Sequence, residues 1–451
     1  MFIALLLLIA IRAQGQIAPP APIGATAAPR VDVPRQLSLD KAQEILLQNN
    51  LSIIAARYGV ELARAQRLTA SLSPNPTLSF GAEQFDVGHP FRDLVTTNSN
   101  TAANRVYTFR FDQVFERGDK RRLRTEAADF QLKAAEAQVL DATRQQMFQL
   151  KQLFYTAVLA RENLRVAQEN LYLIDSTEQL IKLHVETGDM AEWELIKFQT
   201  GKVQYQSDLV AAQLSYQQSV RDVLNLLGSQ PANVLVAVAT TGPNQTPPPL
   251  SDAPLEVLGD LHVQPVAISI PDLQQRALAN RPDVIAAQRT LDAAQRALDL
   301  AYALRHRDVD VAMEYQREGG ENTVGVVVSV PLFLHNNHQG EINQAVAQIA
   351  QAKTALAQVT LQALTDVDKA YRAYELSQKL LQLYASETVA RAEESFRIAG
   401  VSYKEGNTSL LELRDAQRTY NQILVASNQA HYNYRMSIYQ LELATGRELL
   451  K

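Results

Sequence analysis

Two stretches of this sequence, 119–187 and 341–399, contain neither glycine nor proline. At a rise of 1.5 Å per residue, the first would reach about 100 Å as one helix. Such a helix cannot support itself in a globular fold and demands a coiled-coil or bundle partner. Leu164, Ala167, Leu171, Ile174 and Ile181 follow heptad spacing and make a narrow apolar seam. The remaining faces are dense in Gln, Ala, Glu, Arg and Ser. Helices sealed on a narrow seam and wet elsewhere suit a wall with water on both sides better than a solid core. A filled bundle or a cytosolic scaffold would give similar helices, so the helices alone leave the choice open.

The long helices sit inside a repeated unit. Residues 51–57 (Leu-Ser-Ile-Ile-Ala-Ala-Arg) lie over 282–288 (Pro-Asp-Val-Ile-Ala-Ala-Gln) without a gap. The same register sets Val60 on Leu291 and Ala63 on Ala294, with amphipathic helical spacing in both copies. Each copy then runs through a helix, two short alternating segments, a very long helix, a Gly-marked break and a last helix. One copy spans 37–228 and the other 269–446. A connector over 229–268, with three consecutive prolines from Pro247, separates them, and 447–451 is a short tail.

The alternating segments decide between the helical readings. Leu78, Phe80 and Ala82 alternate with Thr77, Ser79, Gly81 and Glu83, and Tyr107, Phe109, Phe111 and Phe115 with Thr108, Arg110 and Asp112. In the second copy, Val309, Val311, Met313 and Tyr315 alternate with Asp308, Asp310 and Glu314, and Val324, Val326, Val328 and Val330 with Thr323, Gly325 and Ser329. Each has about the 9–11 residues that a tilted strand needs to cross a bilayer. A half-buried soluble sheet alternates in the same way. Four strands cannot close a barrel, and an open edge in hydrocarbon leaves backbone groups unpaired. The strand count therefore predicts an oligomeric barrel.

Composition and the N-terminus agree with export. With Cys 0, thiol chemistry, disulfides and a lipid-anchored cysteine are excluded. A net charge of −5 argues against nucleic-acid binding. No internal run approaches the roughly 18 apolar residues of a membrane-spanning helix. Residues 1–15 read as a secretory signal: Phe2 to Ile11 is an apolar run, and Ala13-Gln14-Gly15 a small-x-small cleavage pattern. Its first residues lack Lys and Arg, so the true start is expected upstream of Met1. Residues 16–36 are a Pro/Ala-rich linker.

Two junctions and one turn carry a resemblance to the TolC-type outer-membrane efflux family, toward its heavy-metal (Czc-like) branch. Glu116-Arg117-Gly118-Asp119-Lys120-Arg121-Arg122-Leu123-Arg124 is similar to that branch's E-x-G-G-K-R-x-x-R, with Asp119 replacing the second glycine. Residues Pro331 to Ile342 resemble its P-L-F-x-R-N-x-G-x-I, without the basic residue. Tyr403 to Arg418 is similar to the family's Y-x-x-G…D-x-x-D-A turn, where its tunnel narrows. The resemblance implies a homotrimer, mainly α with a small membrane β-barrel, in which four strands per chain close the barrel and coiled-coil helices form a periplasmic tunnel. It places Glu412 and Asp415 on the two acidic constriction positions, and i, i+3 spacing sets both on one helix face. Glu194 lies as far beyond Gly188 as Glu412 lies beyond Gly406. The family uses an acid there to tether the tyrosine matched by Tyr403. Its gating arginine is replaced by Thr408. An acidic pair after a turn also stabilises a helix start whatever its function.

The implied activity is that of an outer-membrane channel in a tripartite efflux system. A resistance-nodulation-division pump in the inner membrane would supply the energy. A periplasmic adaptor would dock on hairpin tips at Gly188, Asp189, Gly406 and Asn407. Heavy-metal cations or drugs are the expected cargo, and no cofactor is needed. The exit duct of a type I secretion system and a soluble coiled-coil scaffold are the alternatives. No catalytic constellation is present: there is no phosphate-binding loop, H-E-x-x-H or G-x-S-x-G. His335 and His338 are two ligands on a loop and leave a metal site half built. Trp193 reads as a packed aromatic in preference to an adaptor contact.

Overall fold

A computed structural model describes residues 33–83, 106–229, 255–263, 269–318, 320–384 and 386–447. The expected signal, most of the linker and connector, and all of the tail but its first residue lie outside these. The first half contains β1 (Gln36–Ser38), α1 (Leu39–Asn49), α2 (Leu51–Ser71), β2 (Thr77–Glu83), β3 (Val106–Phe115), α3 (Lys120–Glu186) and α4 (Glu192–Leu226). After β4 (Glu256–Leu258) come α5 (Ile270–Asn280), α6 (Pro282–Ala303), β5 (Val309–Glu318), β6 (Glu321–Ser329), α7 (Gln339–Leu383), α8 (Ser386–Lys404) and α9 (Leu410–Thr445).

The first glycine-free stretch is one helix: α3 runs 67 residues, about 100 Å at 1.5 Å per residue. The second is not. It breaks after Leu383, where the Thr388 hydroxyl donates to the Leu383 carbonyl at 3.0 Å. The helix expected near residue 51 is likewise two helices. Asn50 is extended, and its Oδ1 accepts from the backbone N–H groups of Ser52 and Ile53, while its Nδ2 donates to Gln146 and to the Leu226 carbonyl. In the other half Arg281 stands at the matching junction. It bonds Asp283 at 2.7 Å, Asp366 at 2.9 Å and the Ala444 carbonyl. Gly228 passes the Asn49 carbonyl as Gly446 passes that of Asn280, each too close for comfortable Cβ packing.

α3 is the spine, with α2, α4, α6 and α9 packed along it. The main core gathers around its middle: Leu150, Phe154 and Val158 meet Leu46, Ile53, Val223, Leu227 and Met436. The three-residue strands β1 and β4 pair in parallel against this core and carry Leu37 and Val257 into it. That pairing takes Gln36, the last residue of the expected linker, into a strand. Lys151 and Glu442 form a buried ion pair nearby, 2.7 Å apart. A second core centres on Leu273, Tyr374, Tyr434 and Ile438.

Both strand-to-helix handovers use a left-handed residue. Gly118 and Asp119 have φ of +75° and +59°, and His338 opens α7 with φ of +59°. A Cβ on Gly118 would meet the His306 ring at 2.6 Å. Arg124 secures the first junction, bonding Glu116 and the carbonyls of Ala70 and Leu72. The quoted motif glycine of the second junction, Gly340, sits inside α7 instead. Asp119→Gly and His338→Gly are expected to raise stability by about 0.5–1 kcal/mol each, since a left-handed L-residue is strained. Gly118→Val should prevent folding. Thermal melts of the purified protein check both, and a lower midpoint for the glycine variants would refute the strain argument.

Candidate functional site: the strand face and the hairpin tips

β2, β3, β5 and β6 form one antiparallel sheet in that order. Its register lines up Leu78, Phe111, Met313 and Val326 in one row and Phe80, Phe109, Tyr315 and Val324 in the next. Side chains alternate across a pleat, so these rows share a face. That face is bare: Leu78 is 76% exposed, Phe80 60%, Met313 57% and Val324 74%. The opposite face carries Thr108, Arg110, Asp112, Glu314 and Gln316. Arg110 pairs there with Asp112 at 2.7 Å and Glu314 at 3.8 Å. Among the described residues, the outer edges of β2 and β6 pair with no strand. Among the described residues, no helix is long and apolar enough to cross a membrane.

At the other end, α3–α4 and α8–α9 each turn through a glycine. Gly188 (φ +82°) and Gly406 (φ +74°) take the left-handed conformation. Next to them, the Asp189 N–H reaches back to the His184 carbonyl and the Asn407 N–H to that of Ser402. These are matching glycine C-caps, and all four expected tip residues lie in them. A small core of Ile174, Ile181 and Phe198 seals the first hairpin, and Leu410 of α9 packs against it. Arg414 lies over the Phe198 ring and against Gly201, where a Cβ would stand 3.0 Å from the guanidinium.

The four expected gate residues separate into different roles. Tyr403 is buried, and its hydroxyl has no hydrogen-bond partner. Burial, with the Glu194 charge behind it, pushes that phenol above its usual range. Glu194 is thus near Tyr403, but no hydrogen bond joins them. Glu412 is the third residue of α9 and closes a capping box with Ser409. Its carboxylate accepts from the Ser409 N–H at 3.3 Å. Asp415 is exposed and pairs with Arg418 at 2.6 Å. The Thr408 hydroxyl, at the family's arginine position, is buried without a partner. Trp193 does not pack as expected: it is 59% exposed, with Lys197 over its ring. His335 and His338 build no site; among the described residues no group of three or more potential ligands could hold a metal.

One cluster went unnoticed in the sequence, although the heptad spacing points to it. Between Ile174 and Ile181 the seam position belongs to Glu178, which is buried. It accepts from Lys182 at 2.8 Å, Lys202 at 2.7 Å and Gln199 at 3.0 Å, and Lys202 also meets Asp175 at 2.6 Å. The hydrogen bonds from Lys182 and Lys202 lead in holding the Glu178 carboxyl down to about 2. A depressed carboxyl adds stability that is fully present above its unfolded range, near 4.3, and is lost as pH falls toward 2. Helicity followed at 222 nm should therefore fall along an acid limb below about pH 4.3. In Glu178→Gln that limb should be shallower, and identical limbs would exclude this role.

Comparison with known proteins follows this geometry. The chain matches the family described as "Outer membrane efflux protein" over residues 43–229 and 273–447. The cobalt-zinc-cadmium resistance protein CzcC of Cupriavidus metallidurans is 22% identical over 385 residues, covering 85% of this chain and 84% of its own. The pyoverdine export outer membrane protein OpmQ of Pseudomonas putida is 25% identical over 403 residues, covering 85% and 80%. The open state of the Neisseria gonorrhoeae MtrE outer membrane channel superposes with a TM-score of 0.70 at 18% identity, covering 91% of this chain and 89% of that one. At that identity the likeness is one of fold.

Proposed function

Because the chain belongs to the outer membrane efflux protein family, we propose that it is the passive exit channel of a tripartite efflux system. Membership makes it an outer-membrane transport protein and not an enzyme. The observation that carries the finer reading is the sheet, with its bare apolar face and two unpaired edges. An apolar face suits lipid, and a face with Arg110, Asp112 and Glu314 suits a water-filled lumen. Unpaired edges do not suit hydrocarbon. Copies of the chain joining β6 to β2 remove every edge, and three copies of four strands make a barrel of the size that leaves a lumen. The helices offer a matching seam: Ile196, Val203, Val210 and Leu214 recur along α4 at near-heptad spacing and are all exposed.

The tunnel hangs from this barrel into the periplasm, and the turns at Gly188 and Gly406 are its free ends. A periplasmic adaptor docks there, with Trp193 a ready aromatic contact, and the inner-membrane pump supplies the energy. Relatives named for metal resistance and for pyoverdine export indicate that one duct architecture serves unlike cargoes. Selection therefore belongs to the pump. The Czc-like junctions favour heavy-metal cations for this chain. A type I secretion duct would use the same fold, but nothing in the strands or tips favours it.

Three copies of Asp415 around a narrow end would form a ring of carboxylates that draws cations, offset in part by the paired Arg418. Glu412 contributes less, because its carboxylate is engaged in the capping box. In planar bilayers the purified protein should give small cation-selective currents. Asp415→Ala should lower that selectivity. Glu412→Ala should mainly loosen the start of α9, at a cost of about 0.3–1.5 kcal/mol. A protein that stays in solution and never inserts would overturn the channel, and currents indifferent to Asp415 would move its constriction elsewhere.

A further inference from the structure

Far from the tips, the segment after β4 lies on α9 and brings two histidines together. His262 and His431 have ring centres 4.2 Å apart and planes 72° from parallel. The Nδ1 of His262 is 2.7 Å from Oδ1 of Asp260, which also accepts the His262 backbone N–H at 3.0 Å. An ionised carboxylate only accepts, so this Nδ1 carries the hydrogen, and in the neutral ring Nε2 then holds the lone pair. The Nδ1 of His431 is 3.3 Å from the Ser427 carbonyl, another pure acceptor, which selects the same tautomer. Neither Nε2 makes a hydrogen bond with a described residue. Arg435 holds the loop in place: one nitrogen donates to the His262 carbonyl at 2.9 Å, and the guanidinium lies over the Tyr155 ring.

Metal-binding histidines are built in this way. One ring N–H is given to a carboxylate or a carbonyl, which fixes the tautomer and aims the other nitrogen at the ion. We propose that His262 and His431 form a two-imidazole site for a late first-row divalent cation, Cu2+ foremost and Zn2+ after it, with water completing the coordination. Imidazole suits these ions, and the order of preference is the general one for nitrogen ligands. Two imidazoles cis on a tetragonal Cu2+, or on a tetrahedral Zn2+, each bound at about 2.0–2.1 Å, have ring centres roughly 4.5–5 Å apart. The rings at 4.2 Å are slightly inside that spacing, and the His262 side chain is exposed. Asp260 offsets the positive charge of Arg435 beside the pair. The loop pair His335 and His338 has weaker support, since the His338 Nδ1 makes no hydrogen bond and approaches the Glu341 carboxylate only to 3.5 Å. The site does not rest on the channel reading. His431 is 16 residues along α9 from Asp415, about 24 Å.

Cu2+ titration of the purified full-length protein, by calorimetry and by electron paramagnetic resonance, tests the site. One Cu2+ per chain is expected, with hyperfine structure from two imidazole nitrogens. His262→Ala and His431→Ala should each remove one nitrogen from the signal and weaken binding by about tenfold or more. Asp260→Asn, which keeps both ligands, should weaken it by about 10–100-fold. His335→Ala with His338→Ala should change nothing. Undiminished binding in both His262→Ala and His431→Ala would overturn the proposal, as would no binding by the folded native protein at millimolar Cu2+. Because His262 is exposed, its variant folds and keeps the test decisive.

Discussion

A backbone N–H or C=O left unpaired in hydrocarbon costs several kcal/mol, and a sheet edge presents a row of them. The four strands of this chain place that cost at β2 and β6 while turning a bare apolar face outward. Every other feature of the proposed channel follows from removing it. In that proposal, closure through further copies would give a lumen, which would account for the ion pairs that Arg110 makes with Asp112 and Glu314 on the opposite sheet face. The strands must also deliver their chain into long helices through short junctions, 116–119 and 330–338. The left-handed backbone at Gly118, Asp119 and His338 makes that turn.

Below the strands the constraint changes from hydrogen bonding to packing. A helix as long as α3 has too narrow an apolar seam to fix its neighbours by hydrophobic contact alone. Apolar clusters occur at its middle and near its tip. The polar network around Glu178 interrupts the seam inside the second of them. Relative to an apolar replacement, a buried carboxylate satisfied by two lysines gains little stability, but it tolerates only one sliding register of α4 on α3. The Lys151–Glu442 pair plays the same part between α3 and α9.

Much of this was legible in the sequence. Period-two alternation located the four strands, and the absence of glycine and proline located α3. Gly188 and Gly406 marked the tips because a helix C-cap favours a residue without Cβ. The break at Tyr384 was not legible, since no glycine or proline marks it and the hydrogen bond across it comes from a threonine hydroxyl. The strands β1 and β4 are too short for any period to register. Glu412 shows how a local signal can be read twice. Ser409-Leu410-Leu411-Glu412 is a capping-box pattern, yet the family resemblance drew the same glutamate toward the gate. At the tip it is Phe198 that packs inward, while Trp193 stays exposed, a difference that residue type alone does not signal.

The account stands on closure of the barrel by identical chains. Native mass spectrometry of the full-length protein, released from detergent micelles, counts those chains directly. Three copies in one complex is the predicted result. A single chain, folded and stable in the same detergent, would contradict it, because the edges of β2 and β6 would then have no partner.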